Sequence, residues 1–288
     1  MHTRSRLFLG WGIPEFAITA MLMLIAGVGY AGPFFFSTGT VNNLMATASR
    51  PDTLGKFEIE AADDFILTGS QTSLTSATFT GLLTGASPTI GEVRVEIYRV
   101  FPNDSDVGRT PQVPTRVNSP SDVALDDRDS TVGGGLSFTT TVLNGTFTAV
   151  NSIQPGGIHP SPGQTTGGNG PVTGQEVQFN ITFTNPFALP ADHYFFIPQV
   201  QVGGGEFLWL SGSRPIVPPG TPFAPDLQSW TRDAFLDPDW LRVGTDIVGA
   251  GTFNGAFTLT GAVPEPGSLL LLMGAGIAAL WSRRERHA

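Results

Sequence analysis

The sequence predicts an all-β fold: an antiparallel β-sandwich of jelly-roll type, flanked by an N-terminal signal peptide and a C-terminal transmembrane helix. Three observations carry the prediction. The 288 residues include 36 Gly and 23 Pro, and only 14% are charged, a composition of strands and turns. Apolar and polar residues alternate with a period of two in several segments. Between residues 32 and 262 no segment carries a convincing apolar stripe repeating every 3.6 residues.

In chain order, strands are expected at 56–61, 65–67 and 76–82. Glu92-Val93-Arg94-Val95-Glu96-Ile97-Tyr98 then places Val93, Val95 and Ile97 on one face and polar groups on the other. Further strands are expected at 136–142 and 146–150. Val177-Gln178-Phe179-Asn180-Ile181-Thr182-Phe183 repeats the alternation, followed by 194–202, 206–210 and 256–260. Two stretches interrupt them. Residues 154–174 are dense in Gly and Pro and read as an exposed loop, and 214–225 holds five prolines, at 215, 218, 219, 222 and 225. Neither separates self-similar halves, so 32–262 reads as a single domain.

That domain has 10 Arg and Lys against 21 Asp and Glu, a net charge of −11. Nucleic-acid binding depends on neutralising phosphates, so an acidic domain excludes it as a partner. The absence of Cys excludes disulfides, thiolate metal ligands and a thiol nucleophile.

The termini carry addresses. Arg4 and Arg6 precede an apolar run over 16–28 that ends in Gly29-Tyr30-Ala31. This is the pattern of a secretory signal peptide, residues 1–31, with cleavage after Ala31 or Ala26; a retained anchor is the rival reading. At the other end, 267–281 is uncharged and rich in Leu, Ala, Gly and Met. At about 1.5 Å per residue it reaches about 22 Å, short of a hydrocarbon core of about 30 Å. Trp281 and the cations Arg283, Arg284 and Arg286 extend that reach by interfacial anchoring and snorkelling. A buried core helix would be amphipathic, and this stretch has no polar face. Arg283, Arg284 and Arg286 are therefore expected to remain as a cytoplasmic tail.

Val263-Pro264-Glu265-Pro266-Gly267-Ser268, the Leu-rich stretch and the Arg cluster, in that order, resemble the PEP-CTERM sorting signal of Gram-negative bacteria. The resemblance covers 263–288 only. It implies an exosortase as partner, recognition at Pro264, Glu265 and Pro266, membrane anchoring before processing, and delivery to the cell envelope, surface or exopolysaccharide matrix. It speaks of address and not of activity. Ala62-Asp63-Asp64-Phe65, the strand 94–102, and the stretches 189–196 and 237–242 are also similar to a recurring group of β proteins bearing this signal, a group that implies no activity.

Chemistry has few candidates. His2 and His287 lie in the terminal segments, His159 in the Gly/Pro loop, and His193 beside Asp192 at the start of a strand. There is no Gly-x-Ser-x-Gly elbow and no His-Glu-x-x-His pair, so no catalytic residue is assigned and the protein is expected not to be an enzyme. Asp104 and Asp106, and Asp126, Asp127 and Asp129, form acidic turns with the oxygen ligands that Ca²⁺ prefers; Arg128 opposes a cation there, and the alternative is turn aspartates bonding their own backbone. Trp230 and Trp240, flanked by charges, are candidates for stacking on sugar rings, while Trp209 sits among apolar neighbours and reads as core. The reading is an exported structural or adhesive protein. A carbohydrate-binding module, calcium-assisted or not, is the alternative, and an exported hydrolase the third.

Overall fold

Two long strands organise the sheet: β3 (Ile59–Leu83) and β8 (Val172–Gly203), antiparallel to each other over most of their length. Around them lie β1 (Gly32–Ser37), β2 (Val41–Ala48), β4 (Thr89–Arg99), β5 (Asp126–Asp129), β6 (Leu136–Ala149), β7 (Asn151–Ile153) and β9 (Phe207–Gly212). β10 (Trp230–Asp233), β11 (Leu241–Arg242), a single π-helical turn (Val243–Val248) and β12 (Phe257–Val263) complete the chain. The computed structural model describes residues 32–53, 55–109, 111–158, 165–216 and 226–264, of which Pro33–Val263 form one compact unit.

The all-β expectation holds, and the hydrogen-bonding differs from it in two respects. The 12 strands form one curled sheet with the path β5-β4-β8-β3-β9-β2-β7; β6 sits on β8, β12 and β10 on β3. The ladder is antiparallel except for β2 and β7, which run parallel, so the sheet is mixed.

Segments expected as separate short strands are halves of the long ones. Residues 56–61, 65–67 and 76–82 fall largely within β3, and 177–183 and 194–202 within β8. Gly69, Pro186 and Pro190 are of residue types that usually weaken or end a strand. In the structure this region carries register shifts, between Leu67 and Gln71 and between Leu74 and Ser76, where the ribbon bends without ending.

The bend gives each long strand two halves with different neighbours. The first half of β3 pairs with the second half of β8 and with β10, and beyond them lie β4 and β5. Its second half pairs with the first half of β8 and with β12 and β9, and β6 flanks β8. The two halves meet through aromatic rings. Phe196 stacks on Phe257 with centroids 4.9 Å apart and approaches Trp209 at 6.2 Å and Phe79 at 6.4 Å. Val93, Val95 and Ile97 point into this core, as their alternation predicts.

The opposite face of β4 is not the solvent face its polar residues predict. Glu96 is 8% exposed, and Tyr98 is buried in a second apolar cluster with Phe195, Ile197, Leu227, Trp230 and Trp240. β10 extends this side of the sheet beside β3, and Leu227 and Trp240 pack on it, so the β3–β8–β4 half is covered on both faces.

Candidate functional site

The expected calcium ligands are engaged locally. Asp126, Asp127 and Asp129 are on an edge strand rather than a turn, opposite Ile97, Glu96 and Arg94 of β4. Successive side chains on a strand point to opposite faces, so Asp127 diverges from Asp126 and their carboxylates cannot converge. Asp126 accepts from the Arg128 guanidinium at 2.6 Å, and Asp129 accepts from the Thr131 backbone N–H at 2.7 Å. Asp106 accepts from the Gly108 N–H at 3.0 Å, and Asp104 faces Arg99 at 3.5 Å with φ of 55°. Among the described residues no three His, Asp or Glu side chains come together in a way that holds a metal ion.

The tryptophans need a correction. Trp230 and Trp240 are each 1% exposed, and neither offers a face to a sugar ring. Trp240 donates from Nε1 to the Ser121 carbonyl at 3.1 Å, and the Arg232 guanidinium lies 4.3 Å above its ring. Arg232, Asp233 and Asp239, flanking charges that make the tryptophans look exposed in the sequence, are themselves buried. Trp209 is buried as expected, donating from Nε1 to the Ala256 carbonyl at 3.0 Å.

What the sequence reading missed is a strip of buried ionisable groups along the first half of β3. Arg232 binds Glu60 through Nε and donates from Nη2 to the Tyr98 hydroxyl at 2.8 Å; that hydroxyl donates to Glu60 at 2.8 Å. Burial pushes the Glu96 carboxyl up to about 9, helped by the charges of Glu60 and Glu58. Burial also raises Tyr98, with Glu60 adding to it. For Arg232 burial opposes the charge, but Glu60 beside it outweighs that, and the guanidinium is held above its ordinary value.

Further along, Asp63 accepts from the Gly255 N–H at 2.9 Å, and Asp64 accepts from the Leu227 N–H at 2.8 Å. Gly255 is required there, because a Cβ would sit 2.4 Å from the Trp209 ring. Desolvation raises both carboxyls, Asp63 strongly, with Asp64 and Asp226 adding to it. His193 Nε2 lies 2.6 Å from Asp64 Oδ2, and both side chains are 1% exposed. Asp192 caps only the His193 backbone N–H, at 2.9 Å, so the neighbouring pair in sequence is a turn and the ring's partner comes from 129 residues away. An Asp–His pair of this kind orients a base in hydrolases; here both side chains are buried, and among the described residues no Ser or Thr hydroxyl bonds the ring. His159 lies outside the described residues.

The second half of β3 presents a different surface. Its outward side chains align with those of three other strands in cross-strand rows. Thr258, Thr78, Asn180 and Thr139 form one row, and Thr260, Ser76, Thr182 and Ser137 the next. Thr80, Gln178 and Thr141 begin a third. The Thr78 and Thr258 hydroxyls bond each other at 2.7 Å, and Asn180 donates to Thr141 at 3.4 Å. The first two rows line a shallow groove of about 480 Å³ with no charged residue among its walls.

β12 leads from this face towards the C-terminus. Ala262 is its last paired residue, opposite Ser73, and Pro264, which follows the strand's last residue Val263, has no N–H to extend the ladder. A family model described as the PEP-CTERM protein-sorting motif matches residues 262–286. The chain contains a PEP-CTERM sorting domain. The motif indicates an exosortase-sorted extracellular protein, recognised by an exosortase and routed by membrane-associated sorting towards the cell surface. No curated protein and no solved structure matches the chain. The PEP-CTERM match begins inside β12, so no linker separates the last sheet residue from Pro264. Glu265, Pro266, Arg283, Arg284 and Arg286, like the expected signal peptide 1–31, lie outside the described residues. No helix among the described residues is long and apolar enough to cross a membrane.

Proposed function

We propose that this is a non-enzymatic structural or adhesive protein of the cell surface or exopolysaccharide matrix. Residues 1–31 direct export, the apolar stretch 267–281 holds the chain in the membrane of a Gram-negative cell, and an exosortase removes it at Pro264-Glu265-Pro266. The observation that carries the adhesive reading is the uncharged face of Thr, Ser, Asn and Gln on β12, β3, β8 and β6. Hydroxyl and amide groups both donate and accept, and match the hydroxyls of a neutral polysaccharide better than they match an ion. A face built on paired strands also holds its groups in place before contact, which lowers the ordering cost of binding. The sealed Asp64–His193 pair supports a non-catalytic role, because a hydrolytic base must reach its substrate.

The test is co-sedimentation of the protein with exopolysaccharide from the producing strain. Thr182→Arg puts a long charged side chain in the middle of the face at an exposed position. It is expected to weaken binding by about tenfold or more, equivalent to about 1.4 kcal/mol. Unchanged binding removes this face from the proposal. Intact mass of the protein from strains with and without the exosortase tests the processing: a wild-type mature species that retains Trp281 overturns removal of the tail.

A further inference from the structure

Beyond that reading, the edge of the polar face has its own consequence. β6 bounds this side of the sheet, and among the described residues its only strand partner is β8. Residues 136–142 read Leu-Ser-Phe-Thr-Thr-Thr-Val, seven residues with no charge, no Pro and no Gly. Their pairing with β8 is regular, and the register shifts begin only after Val142. Alternate backbone N–H and C=O groups on the other side, without a strand partner among the described residues, therefore form a template for another strand. Other short strands of the sheet are protected: β5 is four residues of Asp-Asp-Arg-Asp, β7 has three residues and β11 two. Charge and shortness are the usual ways to blunt an edge, and 136–142 uses neither.

We infer that a second copy of this chain pairs edge to edge along β6, antiparallel, about a two-fold axis at Thr139. Symmetry selects the register. An axis between two residues sets outward side chains beside inward ones, so the axis passes through a residue. Placing it at Thr139 uses all seven residues. Thr139 meets its own copy, Ser137 meets Thr141, Phe138 meets Thr140, and Leu136 meets Val142. The last pair covers Val142, which is 55% exposed. The outward pairs are Thr–Thr and Ser–Thr, the kind the sheet already makes at Thr78–Thr258 and Thr148–Thr173, both 2.7 Å. Charge favours this edge as well. The chain carries a net −9, so copies repel, and β6 is a strand on which they meet without facing carboxylates. The row Thr258–Thr78–Asn180–Thr139 then continues into its own copy and doubles the polar face.

The strand pair is about 24 Å long. It is smaller than a standard interface of about 1,200–2,000 Å², so the dimer is populated at high concentration.

The protein contains no Cys, so Thr139→Cys, made in protein purified from the producing strain, puts its sole thiol on the axis. Residues opposite each other on antiparallel strands have Cα atoms about 4.5–5.5 Å apart, within the roughly 4.4–6.8 Å that a disulfide spans. Thr182→Cys is the control: it is also exposed, but its copy lies three strand spacings across and four residues along, about 20 Å away. Mild oxidation of concentrated protein is expected to convert Thr139→Cys to a dimer mass that a reductant reverses, and to leave Thr182→Cys monomeric. Should Thr139→Cys misfold, a mixture of Ser137→Cys and Thr141→Cys reads the same register, cross-linking faster together than either does alone. No cross-link in either system, or equal cross-linking of Thr139→Cys and Thr182→Cys, overturns the dimer.

Discussion

The two halves of β3 pair with the same strand and face different surroundings. In residues 59–67 the side chains turned away from the shared core are Glu60, Ala62 and Asp64, and residues 226–241 bury them. In residues 74–83 the corresponding positions Ser76 and Thr78 line the open groove. Alternation is present in both halves and marks the core-facing side. It does not say whether the other side meets water. Where that side is covered, every polar group needs a partner, and the strip supplies Arg232, Tyr98 and His193. Where it is solvated, hydroxyls bond each other or water and little is at stake.

Four substitutions sharpen this contrast, from the largest effect to the smallest. Val95→Asp puts a carboxylate into the core that both halves share, where Val95 is fully buried. Loss of soluble protein is expected, and recovery of folded protein at wild-type yield contradicts the assignment of that face. Arg232→Met removes the cation from Glu60 and leaves a buried carboxylate with no counter-charge and only the Tyr98 hydroxyl as donor. A loss of about 3–5 kcal/mol in urea unfolding is expected, and a change below about 1 kcal/mol means that the strip is wetter than its geometry indicates.

The third change reads the strip through pH. The Glu96 carboxyl is raised to about 9 in the fold from an ordinary value of 4.5. The native state therefore holds this proton more tightly than the unfolded chain does. Its contribution to stability is fully present below about pH 4.5 and is lost as pH rises through about 9. Glu96→Gln keeps the neutral form at every pH, so melting temperature plotted against pH should decline less between 5 and 9 than in the wild type. Parallel profiles argue against a buried neutral Glu96. The smallest effect belongs to the open half. Thr78→Val removes a hydroxyl pair on the solvated face and should shift stability by about 0.5 kcal/mol or less. A loss comparable to that of Arg232→Met erases the contrast.

Much of the fold was legible locally. Val93, Val95 and Ile97, and Val177, Phe179 and Ile181, are core residues where the alternation puts them. Strand ends were less legible. Gly69 and Pro190 break strands in isolation, but here β3 and β8 pair with each other before and after them, and those ladder bonds carry the ribbon across a bend. The flanking charges of Trp230 and Trp240 misled for a related reason. Charge signals exposure only when no partner is available, and Arg232 has Glu60 and two aromatic rings.

By itself the sequence determined the all-β class, the inward face of the main strands, the hydroxyl-rich alternation of 76–80, 137–141 and 178–182, and the sorting motif at the C-terminus. These depend on residue type and on spacing within a few positions. Only the tertiary structure decided that Glu60, Asp64 and Glu96 lie under cover while Thr78 and Thr182 do not. Burial of a strand's second face depends on which distant segment folds over it. Here that segment is 226–241, which brings Arg232 to Glu60 across 172 positions, and no local period records a contact of that length.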